Sequence, residues 1–236
     1  MGCRVSLRVE RGEVWTLTLD RPERANALSA GLVEALRDAL AEAESVRPVA
    51  VVLRGNERHF AAGFDLSELA TESDASLALR FLRLGLLLER VAAAPFLTVA
   101  VVEGVAVGAG ADLVAACDHR LAAPGATFAF PGSRFGVVLG TARLAALTGG
   151  PALCGGRRVP ATEAGGLVTG TPDRLERVLR DWARTDPAAR PALLGAARSA
   201  RAVDPDAALA ALARSLAVPG LRDRVAAHAA SLKETA

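Results

Sequence analysis

Two short runs of small residues hold the chain's best candidates for chemistry. In His59-Phe60-Ala61-Ala62-Gly63-Phe64-Asp65-Leu66, residues with little or no side chain follow a strand and a loop, and Asp65 and Glu68 then open what reads as a helix. Free amide donors at such a place suit a developing oxyanion or a phosphate, while a plain tight turn capped by Asp65 is the other reading. In Glu103-Gly104-Val105-Ala106-Val107-Gly108-Ala109-Gly110-Ala111-Asp112-Leu113, a buried strand enters a glycine-rich bend and then a helix, so amides are again left unpaired. A dinucleotide site would want an acidic residue about 20 positions further on. None stands there, because the chain has no Asp or Glu between Asp118 and Glu163. Two amide-bearing bends, each after a buried strand and separated by one helical segment, point to a two-donor hole for a thioester carbonyl oxygen.

Composition limits what else these bends can do. The 28 Lys+Arg nearly cancel the 26 Asp+Glu, so no field gathers DNA or an anionic membrane, and neither is expected as a partner. The basic side is almost all Arg, with Lys233 the single lysine, and there is no Tyr, which removes tyrosine and Schiff-base chemistry. Cys3, Cys117 and Cys154 are too few and too scattered for a disulfide framework, which fits a reducing cytoplasm. His59, His119 and His228 lie far apart, so no metal is expected. No apolar signal-peptide core is visible, and the most apolar run, 97–117, is broken by Glu103 and Asp112. Residues 1–6 match the M-G-x-x-x-S acylation pattern without polybasic support, and are read as coincidence.

The bends need a frame. Val5 to Val9 and Val14 to Leu19 alternate as a hairpin, and Ser29 caps a helical spacing of Leu32, Val33, Leu36, Leu40 and Ala41. Buried strands are predicted at 49–53 and 97–102, with a leucine-rich helix over 77–93 between them and a loop over 56–63. A short buried helix over 112–117 and strands at 119–122 and 127–130 follow. From Asp173 the pattern is helical, with Leu175, Val178, Leu179 and Trp182 on one stripe and amphipathic runs over 209–216 and 221–232. A boundary near Thr171-Pro172 divides an α/β core, 1–171, from an all-helical end, 172–236. The apolar stripes exceed what a separate tail could bury on itself, which predicts self-association.

Taken in order, these segments resemble the enoyl-CoA hydratase/isomerase (crotonase) superfamily. Thr16-Leu17-Thr18-Leu19-Asp20-Arg21-Pro22-Glu23-Arg24-Ala25-Asn26-Ala27-Leu28 is similar to its L-x-R-P-x-x-x-N-A-L motif, and Phe60 to Leu66 to F-x-A-G-x-D-L. Glu103 to Asp118 resembles N-G-x-A-x-G-G-G-x-E-L-x-x-x-C-D, and Ala161 to Val168 the later A-x-E-A-x-x-x-G-L-V stretch. The resemblance implies an α/β spiral of strand-strand-helix units with a C-terminal helical oligomerisation region, as a homotrimer or a hexamer built as a dimer of trimers. It implies oxyanion amides at Phe64 and Ala109, an acyl-CoA substrate along Arg24, Ala25, Ala62, Asp65 and Leu66, and no tightly bound cofactor. Arg24 can in addition meet a CoA phosphate, or stand as a solvated arginine.

The pattern breaks at the reacting carboxylates. Family hydratases use two glutamates; the first falls on Asp112, one methylene short, and the second on Gly132. Asp112 alone then serves as acid/base, with Glu68, Glu72 or His59 as helpers or as bland surface groups, and Ser133 and Arg134 as possible contacts to a substrate carboxylate. The expectations are hydration or isomerisation of an enoyl-CoA with weak hydratase activity, which Gly132→Glu should raise. A non-catalytic acyl-CoA binder and a crotonase-class decarboxylase are the alternatives. Cys117 reads as a small buried apolar residue.

Overall fold

A computed structural model describes residues 6–149, 155–201 and 203–234; the acylation pattern's first residues, Cys3 and Cys154 lie outside them. The hairpin forms as β1 (Leu7–Glu10) and β2 (Val14–Leu19), antiparallel. Helix α1 (Ala30–Val46) starts where Ser29 Oγ accepts the Leu32 N–H at 3.2 Å. Three strand-strand-helix turns follow: β3 (Ala50–Arg54), β4 (His59–Ala61) and α2 (Asp74–Ala93); β5 (Leu97–Val102), β6 (Val105–Val107) and α3 (Ala109–Ala116); β7 (His119–Ala122), β8 (Thr127–Ala129) and α4 (Thr141–Thr148). The first strand of each turn joins a five-stranded sheet ordered β1-β2-β3-β5-β7. The second joins a four-stranded sheet, β4-β6-β8-β9, closed by the short antiparallel β9 (Val159–Pro160).

The continuous apolar runs of β3 and β5 are explained by cover on both faces. Val51, Leu53, Ala100 and Val102 point to the main core against α1, α2 and α3, while Ala50, Val52, Leu97, Val99 and Val101 form a second cluster on the opposite face. That face is covered by α5 (Leu175–Ala183) and α6 (Arg190–Ser199). Leu175, Val178, Leu179 and Trp182 pack there, and Trp182 Nε1 donates to the Val49 carbonyl at 3.1 Å. Helix α7 (Pro205–Leu216) closes on α2, where Gly85 leaves room for Leu212; a Cβ there would stand 2.6 Å from Leu212 Cδ2. Helix α8 (Leu221–Glu234) is tied to α2 by Asp74, whose carboxylate accepts the N–H groups of Gly220, Leu221 and Arg222.

Three expectations need correction. The span 56–63 is not all loop, since β4 lies within it, and β6 lies inside the glycine-rich bend. No α-helix opens at Asp65: a 3-10 turn covers Leu69–Thr71, and α2 starts after Ser73, whose hydroxyl and that of Ser76 form a capping box. The apolar stripes are not left bare as on a separate tail: Leu212 and Leu216 of α7 are buried in the chain's own core, and Leu175, Val178, Leu179 and Trp182 of α5 pack half-buried on its sheet. Among the described residues no helix is long and apolar enough to cross a membrane.

Candidate active site

Both bends open onto one apolar pocket of ≈ 110 Å³. The first bend turns at Gly63, φ 94°, where a Cβ would stand 2.7 Å from the Val107 carbonyl oxygen and 3.5 Å from the Ala109 nitrogen. Only glycine lets the two bends approach this closely. Gly108, φ 51°, caps α3 and places Ala109 as its first residue. Among the described residues neither the Phe64 N–H nor the Ala109 N–H has a hydrogen-bond partner, and both residues line the pocket.

The surrounding side chains hold the first bend still. Asn26, fully buried with φ 55°, donates its amide to the His59 and Phe60 carbonyls at 3.0 and 3.2 Å and accepts the Arg21 N–H at 2.8 Å. Arg21 in turn donates to Asp65 Oδ2 at 2.8 Å, while Asp65 Oδ1 accepts the Ser67 N–H at 2.9 Å. Burial opposes ionisation of Asp65, but the Ser67 and Arg21 donors outweigh it and hold the carboxyl below the usual carboxylate range. The Phe64 ring stacks on Phe81 with centroids 4.3 Å apart, and the Arg80 guanidinium lies 4.3 Å from the Phe64 ring centre.

Asp112, one turn into α3, is buried yet lines the pocket, and no hydrogen bond reaches its carboxyl among the described residues. Burial pushes it up to about 7, with the Arg143 charge pulling the other way. Arg143 is itself buried and donates to Glu89 at 2.9 Å. The carboxyl packs on Gly140, whose missing side chain makes room for it. A carboxyl that titrates near neutrality, in one pocket with two unpaired amides, can take a proton from a carbon next to an activated carbonyl and return it.

Of the residues assigned from sequence, Phe64, Ala109, Asp112, Ala62, Leu66 and Ser133 line this one pocket, and Arg134 does not. Ala25 is joined to it through its carbonyl, which accepts the Ala62 N–H at 2.9 Å. Arg24 is exposed beside Ala25, and Asp65 is committed to Arg21. Glu68, Glu72 and His59 do not line the pocket; Glu72 bonds Arg80, and Glu68 is exposed. Cys117 is buried, its thiol pushed up to about 12 by burial and by Asp118. The residues not found from sequence are Asn26, legible only as a letter of the first motif, and His228 of α8, which lines the pocket with no motif around it.

The enoyl-CoA hydratase/isomerase family model matches residues 10–150. A protein of Mycobacterium bovis, provisionally named enoyl-CoA hydratase echA6, is 40% identical over 126 residues, 53% of this chain and 50% of that one. Human ethylmalonyl-CoA decarboxylase is 31% identical over 155 residues, 63% of this chain and 50% of its own length. The chain thus spans about half the length of these curated relatives. A solved structure from Bordetella parapertussis, provisionally titled enoyl-CoA hydratase/isomerase, superposes with a TM-score of 0.89 at 41% identity, over 95% of this chain and 98% of that one.

Proposed function

Since the chain belongs to the enoyl-CoA hydratase/isomerase family, we propose that it acts on an enoyl-CoA or related acyl-CoA thioester through an enolate held by the Phe64 and Ala109 N–H groups. The observation that carries this reading is the meeting of two unpartnered backbone donors and one buried, near-neutral carboxyl in a single apolar pocket. The thioester oxygen accepts from both amides, and Asp112 moves a proton at the carbon beside the carbonyl, which supports hydration or isomerisation. The CoA moiety runs past Arg24, Ala25, Ala62, Asp65 and Leu66, no cofactor is held tightly, and the protein works in the cytoplasm as a trimer or hexamer.

Gly132 favours a second reading. It lines the pocket where the family's second carboxylate would stand, and loss of carbon dioxide from a malonyl-type thioester needs no such group. The carbon–carbon electron pair passes into the same enolate, carbon dioxide leaves, and Asp112 protonates the carbon. Incubation with enoyl-, 3-hydroxyacyl- and malonyl-type CoA thioesters, followed by mass analysis, separates these products. Free CoA or acetyl-CoA should also raise the melting temperature, because a ligand bound only by the native state stabilises it. An unshifted melt at millimolar CoA contradicts the thioester reading altogether; a shift without turnover of any thioester identifies a binder.

A further inference from the structure

We propose that His228 is a second proton-handling group of this pocket, carried in by the C-terminal helix and serving on the side where position 132 has no carboxylate. The proposal rests on the acyl-CoA reading above and adds the group that activates water. His228 projects from α8, is half-buried and lines the same pocket as Asp112. Its ring packs on Phe135, centroids 4.9 Å apart, and Phe135 ends the 3-10 turn Pro131–Phe135 that contains Gly132. The imidazole therefore stands beside the turn that bears the family's second acid position.

Its placement is built rather than incidental. Arg224, one helical turn earlier, donates through Nε to the Phe135 carbonyl at 3.1 Å and through its terminal nitrogens to the Val218, Pro219 and Ser215 carbonyls. This clamp fixes α8 on the turn, and Asp74 of α2 holds the helix start. Among the described residues neither ring nitrogen of His228 has a hydrogen-bond partner, so the imidazole carries no structural hydrogen bond. Burial, with the Arg134 charge adding to it, holds the imidazole below its ordinary range, which leaves it neutral and able to accept a proton near pH 7.

In hydration, a water oxygen bonds to the β-carbon as one of its protons passes to a ring nitrogen of His228. The double-bond electrons move into the thioester enolate on the Phe64 and Ala109 amides, and protonated Asp112 delivers its proton to the α-carbon. The two groups then exchange a proton through solvent, which restores neutral imidazole and neutral carboxyl.

The test measures crotonyl-CoA hydration and α-deuterium uptake by butyryl-CoA in D2O, with the CoA-induced melting shift reporting fold. His228→Gln should lose hydration at least a hundredfold, while deuterium uptake falls by only a few-fold and the CoA shift persists. Exogenous imidazole should restore hydration in His228→Ala, as a structural role would not. Hydration within threefold of the parent in His228→Gln overturns the proposal, as does a parent that exchanges deuterium but does not hydrate, or a His228→Ala that imidazole leaves inert. A parent showing neither exchange nor a CoA shift points instead to failure of the acyl-CoA reading.

Discussion

Asp112 carries most of the proposed chemistry, and its burial can be checked without substrate. An aspartate in the unfolded chain titrates near about 3.9, so between roughly pH 4 and 7 the folded state keeps a proton that the unfolded state has lost. Stability therefore falls as pH rises through that window, and the penalty is complete above it. Asp112→Asn should be more stable than the parent at pH 8, by about 1–2 kcal/mol once pocket water is allowed for, and should lose that advantage toward pH 4. Thermal melts at the two pH values check this; an equal effect at both contradicts the placement of the carboxyl at about 7. Gly132→Glu has the opposite fate from the one its motif suggests. A Cβ at Gly132 would stand 2.8 Å from the Val137 carbonyl oxygen, and the Val137 N–H bonds the Gly132 carbonyl at 2.9 Å, so the backbone must shift to admit it. The variant should lose about 1–3 kcal/mol of stability and gain no crotonyl-CoA hydration, read by melting and a spectrophotometric assay. Phe64, Ala109 and Asp112 were legible because each lies within one contiguous motif. His228 was not, because only the docking of α8, made by Asp74 and Arg224, brings it to the pocket.

Short elements escaped the sequence for a different reason. Strands β4 and β6 have three residues each, too few to display a period of two, and their identity as strands comes from pairing with each other and with β8. The long elements, α1, α2 and β5, announce themselves through caps and apolar spacing. Among the contacts that lock the helical end to the spiral is a part-buried ion pair, with Arg201 3.8 Å from the same carboxylate. Arg198 of α6 donates to both carboxylate oxygens of Asp118 at 2.9 and 2.7 Å and to the Ala94 and Phe96 carbonyls, while Asp118 also accepts from Thr98. Burial pushes the Asp118 carboxyl up, yet the Arg198 hydrogen bonds and charge and the Thr98 donors outweigh it and hold it below the usual range. Its contribution is thus present above about pH 4 and lost as pH falls through the folded value. Arg198→Met should cost about 1.5–3 kcal/mol at pH 7 by removing the charged hydrogen bonds to Asp118, which keeps the Thr98 donors and Arg201 at 3.8 Å, and less at pH 3, in denaturant titrations.

At the scale of the whole molecule, the spiral brings the ends of two crossings to one point and the helical end finishes the pocket around it. The first task was foreshadowed by the order of the motifs; the second was not, since the amphipathic stripes looked like surfaces awaiting another copy. Leu212 and Leu216 are buried within the chain and Trp182 is half-buried on its sheet, so the proposed trimer or hexamer rests on family likeness, and sedimentation at micromolar concentration should find it. A monomer there would contradict the assembly without touching the site. In the proposed reaction two amides and Asp112 generate a thioester enolate, and α-proton exchange reads that step free of any later chemistry. Butyryl-CoA incubated with the protein in D2O should gain deuterium at the α-carbon by mass spectrometry, and Asp112→Asn should abolish the gain while CoA still raises its melting temperature. Butyryl-CoA that raises the melting temperature of the unaltered protein yet takes up no deuterium, or takes it up equally with Asp112→Asn, contradicts the account.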